Sequence, residues 1–324
     1  MSLLVQKFGG SSVADAEKLL HIAHITKEAH DAGNDVVVVV SAQGDTTDKL
    51  LQKAREVSSG PMPRETDALL SAGEQISAAL TAMALKGLGV DAVSLSAWQL
   101  PIRTDGTHGD AQITEIGLAR VAEETSRGRV VVVTGFQGVG PSGDVTTLGR
   151  GGSDYSAVAL AAALGAEKCV IYTDVDGVYS ADPRICPTAR RLPCVSCEDM
   201  YALARAGAQV LHDKCVRLAL SRGVVIEVRS CKADSVGTRV VPGEAGCGVT
   251  GVTCRVSERG SFAVVTVVGR RLPSLRLEKE AILALNAAGI VVHGIDAGER
   301  TLTLCVAPPR AHEAVCVIHD AIIK

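Results

Sequence analysis

The chain has 324 residues, enough for one large domain or a large domain with a small companion. Apolar residues make up 47% and aromatics only 2%, so the core must be built from Val, Ala, Leu and Ile, the mixture of α/β proteins with buried parallel strands. Net charge is −3, from 33 basic and 36 acidic residues with no long run of either sign, which leaves neither nucleic acid nor a membrane surface as an expected partner.

Short apolar runs alternate with amphipathic segments along the chain. Residues 3–8 (LLVQKF) predict a strand and 14–33 a helix ending at Gly33. Residues 35–42 predict a fully buried strand, because the Val36–Val40 run leaves no polar face. A helix over 69–89, a strand over 91–97, a helix over 117–128 and a buried strand over 129–138 follow. After LGRGGSD come a helix over 155–166, a strand over 168–175 and the turn DGVYSADPR. A helix over 197–211, a strand over 224–230 and the segment GTRVV close this part. Such alternation predicts a mostly parallel sheet covered on both faces, with ligands at the carboxyl ends of its strands. The polar and glycine motifs stand at such ends, after Phe8, Val40, Val133 and Tyr172.

Residues 241–248 (VPGEAGCG) read as a linker. Beyond it, a strand, a helix, two short strands and a helix form a βαββα unit, too small to be comfortable alone and expected to pair with a second copy. No apolar stretch is read as reaching a bilayer span, and the first residues lack a leader pattern, so a cytoplasmic location is expected. All ten cysteines lie between Cys169 and Cys316, which does not resemble a disulfide framework. Cys194, Cys197, His212 and Cys215 have the residue types of a zinc site, but such pairs also arise by chance in a chain this rich in cysteine; no metal site is assigned.

Four segments carry chemistry. Lys7 with Gly9, Gly10, Ser11 and Ser12 could be an ordinary turn, or a cradle in which backbone N–H groups, a helix N-terminus and an ammonium meet a phosphate. In TTLGRGGSDYSA, Ser153 is placed for an N-cap and Asp154 for a first turn; capping leaves Arg150 and its glycines unexplained, whereas an anionic ligand accounts for them. The turn YTDVDGVYSADPR gathers Thr173, Asp174, Tyr179 and Arg184, and SAQGDTTD with SAGEQIS supplies Ser41, Thr47 and Glu74.

Eight stretches in order over residues 3–240, among them KFGGSSVADAEKL, LLSAGEQISAALTAMAL, TTLGRGGSDYSAVALAAAL and YTDVDGVYSADPRICPTARRL, closely resemble the aspartate kinases of the amino acid kinase family. The resemblance implies a three-layer α/β/α sandwich with a mostly parallel sheet over residues 1–243, and a small α+β ACT-like domain over 244–324. It implies transfer of the γ-phosphoryl of ATP, with Mg2+, to the side-chain carboxylate of L-aspartate, the first step toward lysine, threonine and methionine. On this basis Lys7 stabilises the transferring phosphoryl group and Asp154 orients Lys7. Gly9, Gly10 and Gly152 cradle phosphates, and Thr173, Asp174, Tyr179 and Arg184 bind the nucleotide. Arg150 holds the α-carboxylate of aspartate and Glu74 its ammonium, with Ser41, Thr47 and Ser153 completing that pocket. An aspartate carboxylate, with an ordinary pKa of about 3.9, is already an ionised nucleophile, so the site needs positive charge and positioning rather than a general base.

Two departures from the family stand out. Many relatives carry lysine at Gln209 and proline at Asp213, which bears on ATP affinity. Relatives also usually carry two ACT units, whereas here VTGVTCRV resembles the start of the first and FAVVTVVG onward the second. A single shortened unit is expected, with weak or absent feedback by lysine or threonine, in a homodimer formed through ACT pairing. The alternatives are a kinase for a different amino-acid carboxylate, or a non-catalytic regulatory subunit.

Overall fold

The computed structural model describes residues 2–231, 236–243, 245–246, 248–257, 260–272 and 277–323, so that Glu244 and Cys247 of the expected linker lie outside the described residues. In chain order the elements are β1 (Leu3–Phe8), α1 (Ala16–Asp31), β2 (Asp35–Val40), α2 (Thr46–Val57), α3 (Pro63–Gly87), β3 (Ala92–Leu95), β4 (Ile102–Thr104), β5 (Ile113–Ile116) and α4 (Ala119–Ser126). There follow β6 (Val130–Thr134), β7 (Gln137–Val139), β8 (Val145–Thr147), α5 (Gly152–Leu164), β9 (Lys168–Thr173), β10 (Cys194–Ser196), α6 (Cys197–Ala206), α7 (Asp213–Arg222) and β11 (Ile226–Ser230). The last are β12 (Thr238–Val241), β13 (Val249–Val256), β14 (Ala263–Gly269), α8 (Leu277–Ala287), β15 (Gly294–Ala297), β16 (Thr301–Val306) and α9 (Ala311–Ile322). They form two compact units. The first runs to Asp176 and resumes at Ser221; the second takes Gly177–Leu220 and the chain from Val236 onward.

In the first unit, six parallel strands stand in the order β11-β9-β1-β2-β6-β3. The valines of β2 are all buried, as a strand covered on both faces requires. Alternation along the strands sorts the faces. Val36, Val38 and Val40 join Phe8 and Tyr172 in one cluster with Leu19, Ile22 and Ala23 of α1 and Ala78, Ala82 and Leu85 of α3. Helix α5, buried over nearly its whole length, packs on the other face against β1, β2 and β9. The expected α/β/α layering is therefore present. A second, four-stranded sheet of short strands, β5-β4-β7-β8, lies beyond the sequence pattern because its strands are three or four residues long.

Helix α3 corrects the expectation that no segment could span a bilayer. Its 25 residues suffice by length and composition. Half of its most apolar stretch is buried inside the protein, however, and it carries the buried acids Asp67 and Glu74, so it is a core helix. Two further helices depart from the sequence reading. The loop SAQGDTTD opens into α2, and the single helix expected over 197–211 ends at Ala206, because Gly207 takes φ 121°.

In the second unit, β10 pairs parallel with β12. The C-terminal sheet is antiparallel with order β13-β14-β16-β15. Helix α8 joins β14 to β15 with β16 between them, and α8 and α9 supply its core through Ala281, Leu285, Ala314, Val315 and Ile318. Strand β13, set apart in sequence as the start of another unit, takes the edge beside β14. Thr250 on β13 donates to Asp199 Oδ2 at 2.7 Å while Arg300 holds Oδ1 at 2.8 Å, which fixes that edge.

Candidate active site

The opening strand sets the site. Alternation turns Gln6 and Phe8 of β1 to the α1/α3 face, where Gln6 accepts from Thr26 at 3.0 Å and Phe8 stacks on Tyr172 at 4.6 Å. Lys7 therefore points to the α5 face, where its Nζ lies 2.6 Å from Asp154 Oδ1. Both side chains are nearly buried, at 11% and 14% exposure. The pair is a close ion contact off the axis of a hydrogen bond, and that oxygen has no aligned donor. An ammonium so held is a fixed positive charge in a poorly hydrated place, where it acts strongly on any further anion.

Gly10 is required by close approach: a Cβ there would stand 2.8 Å from the Ala42 carbonyl oxygen. That contact lets the turn after β1 lie against the turn after β2, with Gly44 N–H donating to Gly10 O at 3.0 Å and Ser41 N–H to Phe8 O at 3.1 Å. The long helix starts within two residues of the expected position 14. A single 3-10 turn covers Gly10–Ser12, and α1 begins at Ala16 with Asp15 accepting from Lys18 N–H, so its own N-terminus is capped.

The helix end that is open belongs to α5. Gly151, not Ser153, is the N-cap, in the left-handed region at φ 66° that glycine tolerates, and no side chain caps the helix. Ser153 and Asp154 lie in the first turn, with N–H groups and the dipole directed outward. Ser153 abuts Gly135 at the end of β6, whose N–H in turn bonds Val40 O at 3.0 Å. Phe136 beside it holds φ 68°, a strained conformation for an aromatic residue, with its N–H donating to Ser156 Oγ at 3.1 Å. Arg150, just upstream, is exposed and makes no ion pair among the described residues.

Glu74 enters from α3. Its Oε1 accepts from Ala42 N–H at 2.9 Å, its Oε2 has no partner, and the residue is only 3% exposed. Burial pushes the carboxyl up to about 7, against the lowering effect of the Ala42 N–H. Among the described residues this buried acid keeps one oxygen without a hydrogen-bond partner. Ser41, just after β2, and Thr47, in the first turn of α2, are half-buried; Thr173 ends β9 and donates to Asp174 at 3.0 Å. The first unit thus brings together Lys7, Gly9, Gly10, Ser41, Glu74, Gly152, Ser153 and Asp154 around the ends of β1, β2 and β6, while Thr47 lies in the first turn of α2. Tyr179 and Arg184 belong to the second unit, where Tyr179 bridges to Arg191 and Arg184 forks onto Asp182 at 2.7–3.2 Å. Cys194, Cys197, His212 and Cys215 are not gathered at ligand spacing among the described residues.

Sequence reasoning missed Asp67, on the same face of α3 as Glu74 and 1% exposed. Its Oδ1 accepts from Thr147 at 2.6 Å; its Oδ2 contacts His108 Nδ1 at 2.8 Å and accepts from Gly109 N–H at 3.0 Å. It thereby ties the loop after β4 to β8, from which the Arg150 loop departs. The available signal was an acid seven residues before Glu74 on an apolar helix. Asp67→Ala strands three polar groups, and a loss of about 2–4 kcal/mol in denaturant unfolding is expected, with Asp67→Asn retaining more than half of the stability.

A parallel sheet between helical layers, with a lysine–aspartate pair, an open helix N-terminus and glycine turns at its strand ends, defines an α/β protein with positive charge and dipoles gathered at that edge. The chain belongs to the amino acid kinase family, whose sequence profile matches residues 2–230. It is 53% identical over 276 residues to an aspartokinase of Mycolicibacterium smegmatis, covering 83% of this chain and 64% of that protein. An aspartokinase of Bacillus sp. (strain MGA3) is 41% identical over 326 residues, with 99% and 79% covered. The chain thus spans less than two thirds of the first of these relatives. Escherichia coli aspartokinase III, solved with aspartate and ADP, shares the fold at a TM-score of 0.86 and 22% identity, with 99% of this chain and 100% of that chain covered.

Proposed function

We propose that the chain transfers the γ-phosphoryl of ATP to the side-chain carboxylate of L-aspartate, giving 4-phospho-L-aspartate and ADP. The carrying observation is the meeting, at one sheet edge, of the Lys7 ammonium, the open N-terminus of α5 and the partnerless Glu74 oxygen. The names of the curated relatives support the same reading. A carboxylate oxygen attacks the γ-phosphorus, the bond to the β,γ-bridging oxygen breaks, and ADP leaves with the electron pair. Lys7 lowers the repulsion between the two anions, Asp154 fixes Lys7, and Gly9, Gly10 and Gly152 are assigned to the phosphates, Gly152 by close approach because its N–H donates to Gly149 O at 3.0 Å. Glu74 receives the substrate ammonium, and Arg150, unpaired, the α-carboxylate, with Ser41, Thr47 and Ser153 around them.

Thr173, Asp174, Tyr179 and Arg184 are assigned to the nucleotide. Mg2+ is assigned to the nucleotide phosphates, where it would neutralise charge on the leaving group. Functionally the catalytic part is assigned to residues 1–243 and a single ACT-like regulatory part to 244–324. Exposed Leu283, Val291 and Ile295 favour pairing of that part with a second copy in a cytoplasmic homodimer. ADP release from the purified chain is expected with aspartate and not with glutamate; no aspartate-dependent release would remove the proposal. With one C-terminal sheet among the described residues, millimolar lysine or threonine is expected to change the rate less than twofold, and strong inhibition by either would refute the regulatory half.

A further inference from the structure

Within the second unit, Cys186, His319 and Asp320 bring their ligand-type atoms within 4.8 Å of one another. Cys186 follows the turn DGVYSADPR, and the other two end helix α9, so residues distant in sequence converge. We propose that Cys186, His319 and Asp320 form a binding site for one zinc-class divalent ion, its fourth position left to water, that ties the Ser180–Arg190 segment to α9. The site is independent of the kinase reading.

The donor set fits. Tetrahedral zinc, with Zn–S about 2.3 Å and Zn–N about 2.0 Å, spaces its ligand atoms by roughly 3.3–3.7 Å. His319 Nδ1 and Asp320 Oδ1 already stand 3.2 Å apart. The Thr188 hydroxyl lies among the donors, 3.1 Å from Cys186 Sγ, 3.3 Å from His319 Nδ1 and 2.5 Å from Asp320 Oδ1. It marks a centre that all three donors face, and Thr188 is exposed, so its side chain can rotate outward. Cys316 adjoins the Cys186 thiol, but its Sγ donates to Ile185 O at 3.1 Å and it stands outside the three-donor cluster.

The outer contacts also suit a metal-bound imidazole. His319 is 2% exposed, and its Nε2 lies 2.9 Å from Ser180 Oγ, which itself accepts from Arg190 N–H at 2.9 Å. With Nε2–H donating to that oxygen, the Nδ1 lone pair faces the cluster, as in histidine ligands held by a second hydrogen bond. Asp320 is half-exposed and gives the ion access from solvent. A mixed thiolate, imidazole and carboxylate set selects zinc over magnesium or calcium.

The test uses the full chain, reduced, stripped with chelator and titrated with Co2+, then Zn2+. One Co2+ per chain is expected, with the thiolate charge-transfer and visible d–d bands of tetrahedral cobalt, displaced by Zn2+. Cys186→Ser should abolish the bands, Asp320→Asn should weaken binding at least tenfold, and Cys194→Ser, at an exposed thiol outside the cluster, should leave them unchanged. Circular dichroism verifies folding. Should Cys186→Ser not fold, Asp320→Asn and Asp320→Ala decide. Absence of the bands in the parent chain, or bands unaltered in these variants, overturns the site.

Discussion

Lys7→Met is expected to lower kcat for aspartate-dependent ADP release by at least about 10^3-fold while changing the aspartate KM less than about threefold. Methionine keeps the length and apolar stem of the side chain and removes only the charge. The ammonium 2.6 Å from Asp154 is a preset positive charge at the end of β1, and it gains most when two anions are pressed together in the transition state. Ground-state binding of aspartate rests on other groups, so KM should be nearly spared. The variant also leaves the buried Asp154 carboxylate without its cation, so some loss of stability accompanies the loss of rate. Lys7→Arg keeps charge but not shape, since a planar fork cannot replace a point donor between Gly9 and Asp154. It should recover stability more than rate. A Lys7→Met chain turning over within tenfold of the parent would show that phosphoryl transfer does not occur at this edge.

How much of this site was legible depended on distance along the chain. Alternation in LLVQKF sufficed to set Lys7 apart from Gln6 and Phe8, and the Val36–Val40 run announced a strand covered on both faces. The glycine turns were visible too, but not their division of labour. Ser153 looked like the cap of α5 because serine commonly is one; the cap is Gly151, in the left-handed region, and it is the Ser153 and Asp154 N–H groups that no side chain caps, the Gly152 N–H donating to Gly149 O at 3.0 Å. Conversely Asp15, unremarked among helix residues, caps α1 and closes the N-terminus expected to face the phosphate. Asp67 and the Cys186–His319–Asp320 cluster escaped altogether. Their partners lie 41 to 139 residues away, and no periodicity encodes which loops will meet. Strand β13, read by likeness as the start of a first ACT unit, has as its ladder partner β14, which opens the stretch read as the second.

Glu74→Gln should raise the stability of the ligand-free chain and cost it substrate. The Glu74 carboxyl is pushed up to about 7 by burial, from an ordinary value of 4.5. Below pH 4.5 the acid is protonated whether the chain is folded or not, and it imposes no charge penalty. As pH rises from 4.5 to 7, the unfolded carboxyl ionises while the folded one keeps its proton, so stability falls by about 1.4 kcal/mol per pH unit. Above pH 7 the accumulated penalty is on the order of 3 kcal/mol. Glutamine retains the acceptor for Ala42 N–H and carries no charge, so at pH 8 the variant should unfold later by roughly 2–3 kcal/mol and show no excess stability at pH 4. The same substitution removes the counter-charge for a substrate ammonium, and the aspartate KM should rise about 10^2-fold at pH 8. In the parent chain the ammonium can be held only once Glu74 has lost its proton, so kcat/KM for aspartate should fall about tenfold per pH unit below 7. In Glu74→Gln that acidic limb should vanish. A variant that keeps the limb, or binds aspartate as the parent does, would transfer the ammonium to another group and leave Glu74 as a buried acid without a partner.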